Sequence, residues 1–255
     1  MLKISKYVIY DILRSKVLIA YTLFLLAISF ALCGLETDGA KSIVSLLSVV
    51  LIIVPLISII FSTTYFYNSY EFIELLVAQP LSRNTILLGE FMGVALSMSV
   101  AFLIGIGIPV LIYASNATGV ILLLAGISLT LAFTSIAFFS SVAMRDKAKG
   151  IGMSLLLWFY FSVIYDAIVL AILFSFNDYP LDKAVIALAS LNPIDMARIM
   201  VLMKLDISAL MGFTGAVYKQ FFGSSFGLFY TTSMMLVWMI VPLIIAIRIF
   251  RKKNL

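Results

Sequence analysis

Apolar residues arrive in this chain in long blocks, with polar residues in short clusters between them. Six blocks, nearly free of charge, occupy residues 17–34, 43–67, 86–113, 119–144, 150–176 and 226–247. A helix needs about 20 mostly apolar residues to cross a bilayer. None of the blocks shows the alternation of a barrel strand, and backbone groups in lipid must be satisfied within their own segment. The pattern therefore predicts an all-α integral membrane protein with six transmembrane helices, forming a single transmembrane domain over residues 1–255. The third block carries Glu90 near its start, and the fifth carries Asp166 in its interior. Pro55, Pro109 and Pro242 fall inside blocks two, three and six, where they permit kinks.

Three stretches break the apolar pattern. In residues 1–16, Leu2, Ile4, Val8, Ile9, Ile12 and Leu13 mix with Lys3, Lys6, Asp11 and Arg14. That mixture predicts a helix lying in the membrane interface, the alternative being a frayed start to the first span. Residues 68–85 hold too many apolar residues for a solvated loop and too many charges for a span. A short amphipathic helix ending near Pro80 fits both facts, because a proline pushes the residue before it, Gln79, out of helical geometry. Ser82 is placed to cap the next helix. Residues 177–225 form a long helical segment between the last two spans. In it Asn192 can cap, Pro193 suits the first helical position and Asp195 the positive end of the helix dipole. A helix from residue 193 to about residue 205 is expected.

Charge sets the orientation. Lys3, Lys6, Arg14, Lys16, Arg83, Arg145, Lys147, Lys149, Arg248, Arg251, Lys252 and Lys253, most of the 17 Lys and Arg, fall on one side of a six-span arrangement. The positive-inside bias makes that side cytoplasmic, with both termini. Residues 68–85 then face the cytoplasm and 177–225 the outside. The net charge of +5 reads as a topology signal and not as an affinity for nucleic acid. At 64% hydrophobic and 11% charged, the composition excludes a soluble globule, which is about half apolar and a quarter charged. The first block is read as a retained helix, not a cleaved leader. The lone Cys33 can form no intrachain disulfide, and the absence of histidine removes the usual general base and the commonest metal ligand.

The remaining candidates follow from position. Glu71 and Glu74 point toward something in the cytoplasm. Arg83 pairs with an acidic partner or with lipid phosphate, and Arg145 and Lys147 mark a second, shorter cytoplasmic turn. Asp166 is an intramembrane carboxylate, costly and hence a functional candidate; a proton or cation role competes with a polar contact that locks helices while Asp166 stays protonated. An intramembrane enzyme is disfavoured, because Asp166 has no paired carboxylate or nucleophile–base constellation in the spans. The chain has no G-x-x-x-x-G-K-[ST], so any nucleotide chemistry belongs to another polypeptide.

The stretch E-L-L-x-A-Q-P-L-S-R-x-x-I-L-L-G, residues 74–89, resembles the signature loop of ABC-2-type permeases, of the type V exporter-like kind. The later L-N-P-x-[acidic]-x-x-R, followed by L-M-G-[aromatic]-T-G-A and F-F-G, is similar to the external segment of permeases that serve nitrous oxide reductase maturation. Glu90 departs from the pattern, since many ABC-2 permeases carry a basic residue after that glycine. The resemblance implies a bacterial inner-membrane permease without catalysis of its own. It implies two copies related by a twofold axis, a separate ABC ATPase dimer holding ATP and Mg, and a coupling helix at 68–85 that uses Glu71, Glu74, Gln79, Pro80, Arg83, Arg145 and Lys147. It further implies a periplasmic β-helix accessory protein, with a copper-chaperone lipoprotein and nitrous oxide reductase as further partners, and a copper or sulfur species as cargo. Asn192, Pro193, Asp195, Arg198, Met200 and Met203 are then expected to dock the periplasmic partner. Met196, Met200 and Met203 share one helix face and thioethers suit Cu(I), but packing is the favoured reading of that face. An ABC-2 exporter of a lipid, peptide or drug is the alternative.

Overall fold

The computed structural model describes residues 1–36, 39–144, 146–176, 182–204 and 225–252, and every regular element among them is helical. Six stretches are long and apolar enough to cross a membrane: Lys16–Leu35, Lys41–Asn68, Arg83–Tyr113, Ala117–Ala143, Lys147–Ser175 and Gly227–Lys252. They match the six apolar blocks to within a turn at most ends. The elements are α1 (Leu2–Leu13), α2 (Lys16–Leu35), α3 (Gly39–Asn68), α4 (Tyr70–Val77), α5 (Arg83–Phe102), α6 (Ile108–Tyr113), α7 (Ala117–Ala143), α8 (Lys147–Phe159), α9 (Tyr165–Ser175), α10 (Asp182–Ser190), α11 (Pro193–Leu202) and α12 (Ser225–Lys252).

Two spans widen locally into a π turn, at Leu103–Gly107 between α5 and α6 and at Tyr160–Ile164 between α8 and α9. The first has a local cause. Pro109 lacks an N–H and its ring crowds the carbonyl four residues back, so the helix absorbs the misfit by widening. Gly105 also lets Leu25 of α2 approach to where a Cβ would be 2.6 Å away.

The span α7 is central, packing against α3, α5, α8, α11 and α12. Its Gly126 faces the Phe102 ring so closely that a Cβ would sit 2.0 Å from it. Helix pairing in membranes relies on such small residues and on hydrogen bonds between helices. Here a buried chain of hydroxyls joins three spans: Thr63 of α3 meets Ser154 of α8 at 2.7 Å, and Ser154 meets Ser140 of α7 at 2.6 Å. Ser62 adds a longer contact to Thr134, 3.4 Å.

The amphipathic N-terminal helix packs on the start of the third span. Ile4 and Val8 occupy the space over Gly89 and Gly93, where added Cβ atoms would lie 2.8 and 2.3 Å from them. Leu2, Tyr7, Tyr10 and Leu13 remain exposed on its outer face.

The helix expected to run from residue 193 to about 205 ends at Leu202. More consequentially, α10 and α11 bend by 114° at the Ser190–Pro193 joint and enter the bundle. Trp238, well inside α12, donates to the Ser190 carbonyl at 3.1 Å, and Tyr165 donates to the carbonyl of Leu188. The described part of the segment is thus a bent helical hairpin packed against the fifth and sixth spans.

Candidate functional site

At the end of the bundle that carries most of the basic residues, α4 leaves α3 at Ser69 and lies across the start of α5. Its eight residues split by periodicity. Ile73 and Leu76 are buried, whereas Glu71, Phe72, Glu74 and Leu75 are exposed. Ala78 ends the helix, Gln79 and Pro80 are exposed, and the Ser82 hydroxyl then caps α5 by accepting from the Thr85 amide at 3.2 Å. Among the described residues neither Glu71 nor Glu74 has an ion-pair partner. An acidic and apolar strip thus faces outward with nothing of its own chain to satisfy it.

The basic residues expected to join this strip do something else. Arg83 donates to the Arg251 carbonyl at 3.2 Å, where a cation suits the negative end of the α12 dipole. Lys147 donates to the Asn68 side chain at 2.8 Å. Both tie helix ends of their own chain together, and the Tyr67 hydroxyl adds a 3.1 Å bond to the Ser141 carbonyl. These bonds set α4 on a braced platform made of α3, α5, the α7–α8 turn and the end of α12. Arg145 lies outside the described residues.

Glu90, singled out in the sequence only as a departure, is fully buried beside this platform, and neither of its oxygens has a hydrogen-bond partner.

A second cluster sits where the α10–α11 hairpin meets the fifth span. Asn192 is fully buried. Its carbonyl oxygen caps α11 by accepting from the Ile194 amide at 3.0 Å, while its amide nitrogen donates to the Phe161 carbonyl at 3.0 Å and to Asp195 at 3.2 Å. Phe161 lies in the π turn, where the helical ladder is disrupted, and Asn192 satisfies a carbonyl there. One turn on, Arg198 bridges two carboxylates, Asp195 at 2.8 Å and Asp166 at 3.1 Å. The side chains of Arg198 and Asp166 are 32% and 33% exposed, that of Asp195 only 11%.

This geometry bears on the expectations for Asp166 and for the docking residues. Asp166 makes the expected helix-locking polar contact, and its partner is Arg198, because a carboxylate and a guanidinium each satisfy what the other would leave unpaired. Glu90, not Asp166, is the more deeply buried carboxylate. Asn192, Pro193, Asp195 and Met200 are buried, so they are turned toward their own bundle and offer no docking surface to an external partner; Arg198 is committed to the two aspartates, and Met203 is half-buried. Met196 and Met200 lie in the buried core, on a helix that packs against α7 and α12. The space beside Met200 and Met203 amounts to about 10 Å³, room for about one water at most. Of the 177–225 segment, residues 182–204 are described, and the L-M-G-F-T-G-A and F-F-G motifs lie outside the described residues.

The methionines therefore carry a plain prediction. Replacing Met196, Met200 and Met203 together by leucine is expected to cost below about 1.5 kcal/mol per swap, as volume-conserving core changes do. It should leave Cu(I) binding by the purified chain unchanged. Loss of one bound Cu(I) per chain on substitution would reinstate a copper-handling face.

Compared with known proteins, the chain matches the family described as ABC-2 family transporter protein over residues 2–255. It is similar to the probable ABC transporter permease protein NosY of Pseudomonas aeruginosa, 30% identical over 223 residues that span 79% of this chain and 81% of that one. It is also similar to the probable ABC transporter permease protein NosY of Stutzerimonas stutzeri, 28% identical over 275 aligned positions, 95% of each chain.

Proposed function

The chain belongs to the ABC-2 family of transporter proteins, and from that premise we propose that it is the permease of an ABC transporter serving nitrous oxide reductase maturation. A permease of this family spans the membrane and leaves ATP hydrolysis to a partner ATPase subunit. The finer reading draws on two relatives named NosY that align along most of the chain, and on the L-N-P-x-[acidic]-x-x-R motif at residues 191–198. In this reading two copies assemble about a twofold axis in the bacterial inner membrane, with both termini and α4 in the cytoplasm.

The observation that carries the coupling role is the outward strip of α4. Phe72 and Leu75 provide apolar contact, Glu71 and Glu74 provide charge, and the helix is anchored beneath by Ile73 and Leu76. Interfaces of this kind combine an apolar centre with charges that select the partner. Movement of an ATPase gripping α4 would pass directly into α3 and α5, which α4 joins. The hairpin α10–α11, tied to both the fifth and sixth spans, would carry that movement to the outer side, either to a cargo such as a copper or sulfur species or to a periplasmic protein.

Purification of the tagged chain from native membranes, followed by mass spectrometry, tests this reading. An ABC ATPase and a periplasmic β-helix protein should copurify, and deletion of the chain should leave nitrous oxide reductase deficient in copper. Copurification of the ATPase with fully loaded reductase in the deletion strain would reject the maturation role and leave an ABC-2 exporter of other cargo.

A further inference from the structure

A groove of about 290 Å³ opens between α2 and α3 at the end of the bundle that carries α4. Along α3 its lining runs from Ile57 through Ile60 and Phe61 to Thr64 and Asn68, a spacing that keeps one helix face turned to it. Ser15 and Val17, at the start of α2, stand across from that face. The Phe61 and Tyr65 rings stack at 6.2 Å and make its wall continuous. At a rise of about 1.5 Å per residue, Ile57 lies about 16 Å from Asn68. That is about half of the roughly 30 Å hydrocarbon core, the depth of one leaflet.

The mouth of the groove is rich in donors. The Ser15 hydroxyl makes no cap bond to α2, and among the described residues the Thr64 hydroxyl has no hydrogen-bond partner. Asn68 accepts from the Lys147 ammonium at 2.8 Å, so that cation sits at the mouth with protons to spare and the Asn68 amide nitrogen is free to donate. Arg14 and Lys16, on either side of Ser15, are exposed, as is Lys149; Arg14 also donates to Tyr10. No carboxylate belongs to the lining. The nearby ones are engaged or buried: Asp11 accepts from the Tyr65 hydroxyl at 3.2 Å, Asp146 caps α8 by accepting from the Lys149 amide at 3.0 Å, and Glu90 is sealed inside the bundle. An apolar wall one leaflet deep calls for an acyl chain. A mouth of hydroxyl, amide and ammonium donors calls for an acceptor-only anion such as a phosphate. A phospholipid joins the two. A second copy of this chain would bring its own basic end against a basic mouth, and an ATPase outside the membrane cannot reach Ile57.

We propose that the groove between α2 and α3 is a binding site for one anionic phospholipid, its acyl chain lying along Ile57, Ile60, Phe61 and Val17 and its phosphate held by Lys147, Asn68, Thr64 and Ser15. Basic pockets between spanning helices are the usual places where anionic head groups are recognised. Asn68 is followed by Ser69, from which α4 starts, so the lipid becomes part of the platform that carries α4. The proposal rests on α2 and α3 being membrane spans and not on the permease reading.

The test titrates the full chain in detergent with dioleoyl phosphatidylglycerol or dioleoyl phosphatidylcholine, and native mass spectrometry measures the affinity of the first lipid bound. Phosphatidylglycerol is expected to bind at least about five-fold more tightly, the effect of about one basic residue at a membrane surface. Lys147→Gln should remove about that five-fold while keeping a donor for Asn68. Lys149→Gln removes the same charge from the other side of α8, and should weaken binding by less than about two-fold. Val17→Trp, at an exposed position, fills the groove without changing charge. It should weaken both lipids at least about ten-fold, the effect of excluding about two methylenes. Equal binding of the two lipids, equal effects of Lys147→Gln and Lys149→Gln, or unchanged binding in Val17→Trp overturns the proposal. So does a Val17→Cys protein, with Cys33→Ser as background, that crosslinks to a second copy of itself in native membranes, since a subunit would then fill the groove. None of these results touches the coupling role of α4, which is read by ATPase docking.

Discussion

Reversal of both outward carboxylates, Glu71→Lys with Glu74→Lys, is expected to weaken ATPase docking by about 100-fold while leaving the fold intact. Both side chains are exposed and have no ion-pair partner among the described residues. Surface changes away from caps and cores stay within about 0.5 kcal/mol of stability, so thermal unfolding should be unchanged. The loss falls on the complex. An exposed ion pair contributes only about 0.2–1 kcal/mol, but juxtaposing like charges across an interface costs several. Taking about 3 kcal/mol for the pair, and 1.4 kcal/mol per factor of ten, gives the stated effect. It is read by titrating the ATPase onto the purified permease and by loss of ATP turnover that depends on the complex. Unchanged docking would mean that α4 is an amphipathic connector with no partner.

The second large effect is predicted at the hairpin. Arg198→Met removes the cation shared by Asp166 and Asp195, and leaves two carboxylates facing each other at a largely buried site. Deleting one partner of a buried ion pair costs about 3–5 kcal/mol. Since Arg198 and Asp166 are each about one-third exposed, solvent screening reduces this to about 2–3 kcal/mol. Asp166→Asn should cost clearly less, because Arg198 keeps its 2.8 Å bond to Asp195. The ordering, read from melting in detergent or nanodiscs, is the test. Equal losses would mean that the Asp166 bridge contributes as much as the whole triad. No loss in either would mean that the hairpin is held by Asn192, Tyr165 and Trp238 alone.

These two regions differ in how far the chain's pattern announces them. The platform end was legible. Six apolar blocks of spanning length have one low-cost solution in lipid, and the alternation of Ile73 and Leu76 with Glu71 and Glu74, broken at Pro80, specifies a half-buried helix. Ser82 before Thr85 specifies the next cap. The hairpin end was not legible, because Asp195 and Arg198 look like surface residues when each is taken alone. Their three-residue spacing lets them neutralise each other on one helix, and Asp166 in an apolar block needs a cation from somewhere. Taken together, those two facts point Arg198 inward. Likewise the Gly89 and Gly93 pair announces a close helix contact, which α1 makes through Ile4 and Val8. The π turn at Tyr160–Ile164 contains no proline or glycine. Its Phe161 carbonyl meets Asn192, 31 residues later, a long-range contact that local pattern does not carry.

The central claim is that α4 is the cytoplasmic handle of a separate ATPase. Its most direct test places a photoreactive residue at Leu75, exposed between Glu74 and the buried Leu76, in the intact transporter in native membranes. The account predicts a crosslink to the ATPase, and protection of that position from a membrane-impermeant label applied from outside. Labelling from the periplasmic side, or crosslinks to lipid alone in a complex that contains the ATPase, would contradict it.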